Sequence, residues 1–513
     1  MHACRRRRRR ALPLWGLALA SLLTLIPSAR PALGEEWIAV SPGVDYRLYL
    51  LRGPNRVHVA RLSQSSEDVI IESSIASGEL NTGSETVSEM ARRYDGSLIA
   101  WGGEWGPRAR VLVAINGSSF DSKTGQPYGG LFQSGWYAKE YGSLAGGTGF
   151  VWTAEGEGRI LGCVDHEDGR QVVTRLATGD RFDLGPVNLE RQDEGILMFT
   201  PHFGGATPQG DREIEAVLRV ERPLGVIPLP RNVVATVVEV RDGHGGTPLL
   251  FDEVVLAGRG IYEENFLRNL TPGEQMGLSR EITDLGFGCR TEGGFDWTDV
   301  YAGIGGGFVF LRDGEIRTSD EAGSFVHDPR TAVCLNDEFV YFVVVDGRKD
   351  GVSIGLTLDG MAAFCRDELA ARWGLNQDGG GSSAMWVDGA IVNLPSDGQE
   401  RGVANGLMMV AVEPAARSSR FDEGYGVTVQ AAAEVRSGPG PMFPVLRTTT
   451  PGETVRIARA ATSLMGVFAD GSYWWKSEVD GELGFLPEQS LVRPDGALAW
   501  FWLPPPLLVV ADR

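Results

Sequence analysis

From residue 44 to about residue 412, short apolar runs alternate with Gly, Asp and Pro, which is the texture of a strand-rich chain. Residues 111–115, 233–240, 254–257, 308–311 and 339–345 predict strands, many of them dominated by β-branched side chains. Two segments carry helical signals instead. Thr86-Val87-Ser88-Glu89 is a capping box, opening a helix that stops at Gly96. Leu358, Met361, Ala362, Cys365 and Leu369 share one face of a second helix, expected to run to about Trp373 with Gly374 as its stop. Residues 413–424 turn to Pro, Ala, Arg, Ser and Glu and read as a linker. Residues 425–493 then form a small separate β-module, and 494–513 a tail whose apolar run is broken by Pro504-Pro505-Pro506. The expected fold class is α+β: a sheet-dominated domain over 35–412 with few helices, followed by a small all-β barrel.

A chain of 513 residues is too long for one ordinary core, in keeping with two folded units. Its 69 glycines are roughly twice the average share, without a collagen period, and point to tight turns and a loop-built site. Residues 1–34 hold six consecutive arginines from Arg5 to Arg10, an apolar stretch over 11–26 and small residues before Glu35. That order reads as a secretory signal, so the chain is expected to be exported to a periplasmic, cell-envelope or extracellular place. The apolar stretch is short for a membrane span, which takes roughly 20 residues. Cleavage takes seven arginines from a formal net charge of −19 and leaves −26. So acidic a surface repels phosphate backbones and argues against nucleic acid as a partner. Four cysteines remain, Cys163, Cys289, Cys334 and Cys365, with no Cys-x-x-Cys spacing that would suggest a zinc ribbon. In an exported chain they permit disulfides, Cys334 with Cys365 for example, or buried free thiols.

The sharpest candidate for chemistry follows the second helix. A short strand delivers Asp378 to its end, and Gly379, Gly380 and Gly381 then let backbone approach a ligand closely. Successive N–H groups in such a turn can receive an anion, with Ser382 and Ser383 adding hydroxyls. A lone Asp-Gly is usually an ordinary turn; three consecutive glycines after a buried strand are less readily explained that way. Upstream, Arg330 follows Pro329, and a guanidinium is the natural bidentate partner of phosphate or carboxylate, although a solvated salt bridge is the plainer reading. His327 beside it is more readily structural than catalytic. Asn116, at the end of the 111–115 strand, offers an amide suited to sugar hydroxyls, and residues 393–401 form a further loop. Other chemistries find no support. The stretch 380–384 lacks the last glycine of a Gly-x-Ser-x-Gly elbow, no helix follows the glycines at 303–307, and no Walker or His-Glu-x-x-His motif occurs.

Taken together, Asp378-Gly379-Gly380-Gly381-Ser382, His327-x-Pro329-Arg330-Thr331-Ala332, Asn116-Gly117 with Phe120, and Asn393-x-Pro395-Ser396-Asp397 resemble the uncovering-enzyme-like phosphodiester glycosidase family over most of 44–412. The chain departs from the family pattern at Gln377, Ser118-Ser119, Cys334 and Gly402. The resemblance implies hydrolysis of a sugar-1-phosphodiester to free sugar and phosphomonoester. On that basis Asp378 is the expected nucleophile or general base, Arg330 the phosphate clamp, and Gly379, Gly380, Gly381, Ser382 and Ser383 the oxyanion support. Asn116, Thr331, Asp346, Asp397 and Arg401 are the expected helpers at the substrate. No cofactor is required; calcium or another divalent ion on Asp346, Asp378 or Asp397 would suit a reading in which the P–O bond is cut instead. A cell-envelope glycan-binding or polysaccharide-assembly protein without catalysis is the remaining alternative. The C-terminal module resembles a bacterial SH3 domain through Val435-Arg436-Ser437-Gly438-Pro439-Gly440, Gly452, Trp474-Trp475 and Gly484-Phe485-Leu486-Pro487. That likeness implies binding of cell-wall peptide or glycan by the 437–440 turn and its aromatics, with both tryptophans as core residues of a small barrel the plainer alternative, and makes exported or wall polysaccharide the expected substrate.

Overall fold

The computed structural model describes residues 36–493 except 81–82, 97–106, 134–135, 140–147, 154–155, 162–171, 190–193, 210–213, 221–231, 244, 280–299, 415–420, 422–423, 442, 459–465 and 470–471. The expected signal and tail, with Cys163 and Cys289, lie outside the described residues.

The strand patterning is realised in a layered body. A central antiparallel sheet runs Ile38–Ser41, Val44–Leu51, Asn55–Ser63, Phe339–Val345, Arg330–Leu335, Trp373–Asn376, Val309–Arg312 and Glu315–Ile316. Its inner strands are buried on both faces, which is why Phe339–Val345 reads as a continuous apolar run. Val340, Phe342 and Val344 enter a core shared with a second sheet, while Tyr341, Val343 and Val345 face the helix Leu358–Leu369. The second sheet runs Ala390–Ile391, Met385–Val387, Pro107–Asn116, Asn405–Pro414 and Val69–Ile75.

Both expected helices form. In the capping box the Glu89 carboxylate accepts from the Thr86 N–H at 3.0 Å and the Thr86 hydroxyl from the Glu89 N–H at 3.2 Å. The second helix ends at Leu369, short of the expected Trp373. Ala370 turns left-handed at φ 51°, and Trp373 joins the central sheet opposite Leu335, where pairing outweighs helical spacing. A third helix, Ile261–Arg268, gave too short a pattern to be anticipated. Cys334 and Cys365 do meet, sulfur to sulfur at 2.7 Å, as buried free thiols between the central sheet and its helix.

The region expected as one domain contains a closed barrel. Its strands run in the order Val172–Arg175, Arg181–Val187, Gly195–Phe199, Glu253–Arg259, Ile214–Val220, Asn232–Asp242 and Gln275–Ser279, the last pairing back on the first. Ile196, Met198, Leu218, Val237 and Leu256 belong to a core distinct from the one between the sheets. His202 is buried beside the barrel core with Thr200 Oγ1 at 3.3 Å, and burial pushes its pKa down to about 4. The unfolded chain therefore binds a proton near pH 6.5 that the folded chain refuses. This stability is present above that range and is lost as pH falls, by about 2 kcal/mol at pH 5. His202→Gln is expected to show a smaller fall between pH 7 and pH 5 in parallel denaturant titrations.

The linker expected over 413–424 is narrower than read: Glu413 and Pro414 extend a strand of the second sheet, and Phe421 sits in the core of the C-terminal module. That module is all-β, as expected, with Trp475, Val435, Ile457 and Leu486 at its centre. Its expected ligand surface is corrected by burial. Ser437, Gly438, Pro439 and Gly440 are covered, and Trp474 and Trp475 are only 7% and 1% exposed. The turn meets the barrel instead: the Phe251 N–H donates to the Ser437 carbonyl at 2.6 Å, and the Phe251 ring meets Phe443 and Phe485 edge-on. A small module buries these aromatics because it has little other apolar surface with which to build a core.

Candidate functional site

The chain crosses from the central sheet to the second sheet between Asn376 and Met385, and the three glycines lie on that crossing. Backbone hydrogen bonds hold it from both sides. Gln377 N–H donates to the Thr331 carbonyl, Asp378 N–H to Gly117 and Gly380 N–H to Pro329, each at 2.9 Å. Gly380 has φ 63°, a conformation that favours glycine, and opens a short 3-10 turn to Ser382. Because Ala332 pairs with Asn376, continuing the register sets Arg330 beside Asp378. The two residues far apart in sequence are neighbours.

Asn116 is the bolt of this crossing. It is 0% exposed, its amide N–H donates to the Asp378 carbonyl at 2.8 Å, and its oxygen accepts from Thr331 Oγ1 at 2.8 Å and from the Ala384 N–H at 3.1 Å. The expectation that Asn116 and Thr331 meet sugar hydroxyls is therefore corrected: both are buried and joined to each other, and they position Asp378 from behind. Ser382 and Ser383 are likewise buried beneath the turn. Asn393 ties down the far end, accepting from the Met385 N–H and donating to the Ser383 carbonyl.

Asp378 is half-buried, with one carboxylate oxygen accepting from the exposed Ser119 hydroxyl at 3.1 Å. Two ion pairs flank the glycines. Arg348 binds Asp328 through Nε at 2.9 Å and Nη2 at 3.0 Å, with Nη2 3.2 Å from where a Cβ on Gly380 would lie. This pairing holds the Asp328 carboxyl below its ordinary range and raises Arg348. Arg401 binds Asp397 through Nε at 3.0 Å and Nη2 at 2.6 Å, and a Cβ on Gly381 would run into both side chains. Arg348 has φ 56°, a backbone conformation costing on the order of 1–3 kcal/mol outside glycine and typical of functional turns.

Arg330 is engaged differently from expectation. Its Nε donates to the Leu356 carbonyl at 3.0 Å, and Nη2 donates to Gly323 and Val326 at 2.7 and 2.8 Å. It braces the loop over 323–326 against the helix start. Burial lowers its pKa first, with Asp328 raising it and Arg348 lowering it. Asp346, 1% exposed, has both oxygens occupied: Oδ1 by the Leu394 N–H at 2.7 Å, and Oδ2 by His58 Nε2 and Arg56 Nε at 3.1 Å each. It too stands behind the turn rather than facing a substrate. Among the described residues no three His, Cys, Asp or Glu side chains gather to hold a metal ion.

The sequence assigns no role to Asp328, Arg348 and His58, while Ser119 enters only as a departure from the family pattern and Asn393 only as part of the 393–397 motif. Asp346-Gly347-Arg348, at the end of a strand buried on both faces, was a usable signal for Arg348. The arrangement presents a half-buried carboxylate on a turn whose next glycines lie against two half-exposed guanidinium groups, each paired with an aspartate.

Residues 263–410 match the family model for phosphodiester glycosidases. No curated protein matches the chain. Among solved structures, a hypothetical protein from Synechocystis is similar at TM-score 0.51 and 17% identity over 74% of this chain. The chain spans 64% of that protein's length, and at this identity the likeness is one of fold. A putative exported protein from Burkholderia pseudomallei K96243 aligns at TM-score 0.47 and 19% identity, covering 70% of this chain and 74% of that one. The zebrafish N-acetylglucosamine-1-phosphodiester alpha-N-acetylglucosaminidase catalytic domain, auto-inhibited by its pro-peptide, aligns at 0.37 and 15%, covering 73% and 85%.

Proposed function

We propose that the chain is an exported phosphodiester glycosidase, hydrolysing a sugar-1-phosphodiester of the cell envelope or of exported polysaccharide to free sugar and a phosphomonoester. The observation that carries this reading is Asp378 on a doubly anchored turn, with Arg348 and Arg401 against the next glycines. The match of residues 263–410 to the phosphodiester glycosidase model supports it.

The C1–O bond breaks and the bonding pair leaves on the phosphate oxygen, which departs as a monoester anion. Such a leaving group needs little protonation, so the site can work without the strong general acid of ordinary glycosidases. Asp378 acts at C1, as the nucleophile or as the base that takes a proton from the attacking water. Arg348 and Arg401 stabilise the charge gathering on the phosphate. Arg330 contributes by fixing the 323–326 loop. The P–O-cleaving reading differs in where water oxygen ends up. Turnover in oxygen-18 water is expected to label the sugar. Label in the phosphate, or no sugar released from a panel of sugar-1-phosphodiesters by the mature chain, overturns the proposal.

Two glycine substitutions separate the turn's fold from its ligand surface. A Cβ at residue 379 would lie 2.8 Å from the Pro329 carbonyl, which is backbone and cannot step aside. Gly379→Ala is expected to cost about 1–3 kcal/mol of stability along with activity. At Gly381 the obstacles are the flexible ends of Arg401 and Asp397. Gly381→Ala should therefore raise KM about tenfold or more by displacing a guanidinium, with little change in melting temperature. Thermal melts and initial-rate kinetics on the two variants check the contrast.

A further inference from the structure

A chain of side-chain hydrogen bonds crosses the central sheet and ends at the loop that carries Arg401. Tyr46 Oη lies 2.8 Å from His58 Nδ1, His58 Nε2 lies 3.1 Å from Asp346 Oδ2, and Asp346 Oδ1 accepts the Leu394 N–H at 2.7 Å. Three strands supply it: Val44–Leu51, Asn55–Ser63 and, at its end, Phe339–Val345. His58 and Asp346 are 0% and 1% exposed, in a sheet whose other buried positions are largely apolar. Burying a histidine and a carboxylate there is costly unless every hydrogen bond is made, and here each ring nitrogen has a partner. Burial also pushes the Tyr46 hydroxyl up to about 12, so it keeps a proton to donate. With that hydroxyl donating to Nδ1, the ring's Nε2–H donates to Asp346.

What the carboxylate then does is local. Leu394 follows Asn393, whose amide clamps Ser383 and Met385, and precedes Asp397, which holds Arg401 over Gly381. We infer that Tyr46 and His58 are positioning residues for the site, setting Asp346 so that the 393–401 loop presents Arg401 to the substrate. Neither lies within residues 263–410, the part that matches the family model. The N-terminal strand pair is thus part of the working site. The kinetic half of this inference rests on the proposed glycosidase activity; its structural half does not.

The test uses the full mature chain with His58→Phe, which removes both bonds, His58→Gln, which can keep a donor to Asp346, and Tyr46→Phe, which removes only one hydroxyl. Nitrogen-15 imidazole spectra of the wild type should show the His58 proton on Nε2, facing Asp346, with Nδ1 as the acceptor. Amide exchange at Leu394 should quicken about tenfold or more in His58→Phe, while amides of the Asn405–Pro414 strand hold. On a sugar-1-phosphodiester, KM should rise about tenfold in His58→Phe with a smaller change in kcat, and His58→Gln should restore most of it. If His58→Phe does not fold, Tyr46→Phe carries the test, with Leu394 exchange and KM moving the same way by about threefold. An Nδ1-protonated ring, or unchanged Leu394 exchange in the variants that fold, overturns the inference. Should the wild type turn over no phosphodiester while the spectra and exchange behave as stated, the glycosidase reading fails and the positioning of the loop stands.

Discussion

Asp378→Asn is expected to lower kcat by about a thousandfold or more while the protein stays folded and still binds its substrate. The physical case rests on what surrounds the carboxylate. Among the described residues Asp378 accepts one side-chain hydrogen bond, from the exposed Ser119, and an asparagine oxygen can accept the same bond. Its main chain is held separately, by Asn116 and Gly117, so the turn does not depend on the charge. Stability should therefore change by no more than about 0.5 kcal/mol. Asp346→Asn makes the opposite prediction, because Asp346 receives three donors and an amide must turn its N–H groups toward at least one of them. There the loss is in folding first, by about 1–3 kcal/mol. Comparing calorimetry, substrate titration and turnover in the two variants separates a reacting carboxylate from a supporting one. More than about a tenth of wild-type turnover in Asp378→Asn would remove that residue from the chemistry.

How much of this could be read beforehand depends on whether the controlling interaction is local. The capping box at Thr86 and the strand over 339–345 were legible because adjacent residues decide them: a hydroxyl and a carboxylate three apart, or an apolar run too short for a helix. The closed barrel was not, since closure pairs Val173 with Leu278 across more than a hundred residues, and its strands alternate like any others. The triple glycine marked the turn that crosses between the two sheets, where the candidate site lies. What sequence could not assign was which polar groups were already engaged. Arg330 looks like a clamp until three backbone carbonyls are found on its donors, and Asn116 looks like a sugar ligand until it is found fully buried. Arg348, unremarked within Asp-Gly-Arg, is instead paired with Asp328 and held in a costly backbone conformation beside Gly380.

Lys476→Met is expected to cost about 3–5 kcal/mol of stability, the largest loss from any single side chain considered. Lys476 belongs to the C-terminal strand Ser472–Val479, yet its ammonium lies 2.7 Å from Asp252 and 2.9 Å from Glu253 at the barrel. All three side chains are at most 5% exposed. Burial alone would push the lysine down; the two carboxylates reverse this and raise it. Burial raises Glu253, with Lys476 opposing it and Asp252 adding to it. Removing the ammonium takes one positive charge from between two buried carboxylates. The triple change Lys476→Met, Asp252→Asn and Glu253→Gln should recover more than half of the loss, because it removes the charges together with the need to pair them. The pH dependence has a definite sign. A carboxyl whose folded pKa exceeds its unfolded value gains relative stability as pH falls, so the deficit of Lys476→Met should narrow between pH 7 and pH 5. In the wild type, the lysine's contribution is full below about pH 10.5 and is lost as pH rises through its raised folded pKa. Calorimetric melts of the full chain and both variants across that range decide the matter. A single variant within about 1 kcal/mol of wild type at pH 7 would mean that contacts such as those of Phe251 with Phe443, Phe485 and Ser437 suffice to hold the module on the barrel.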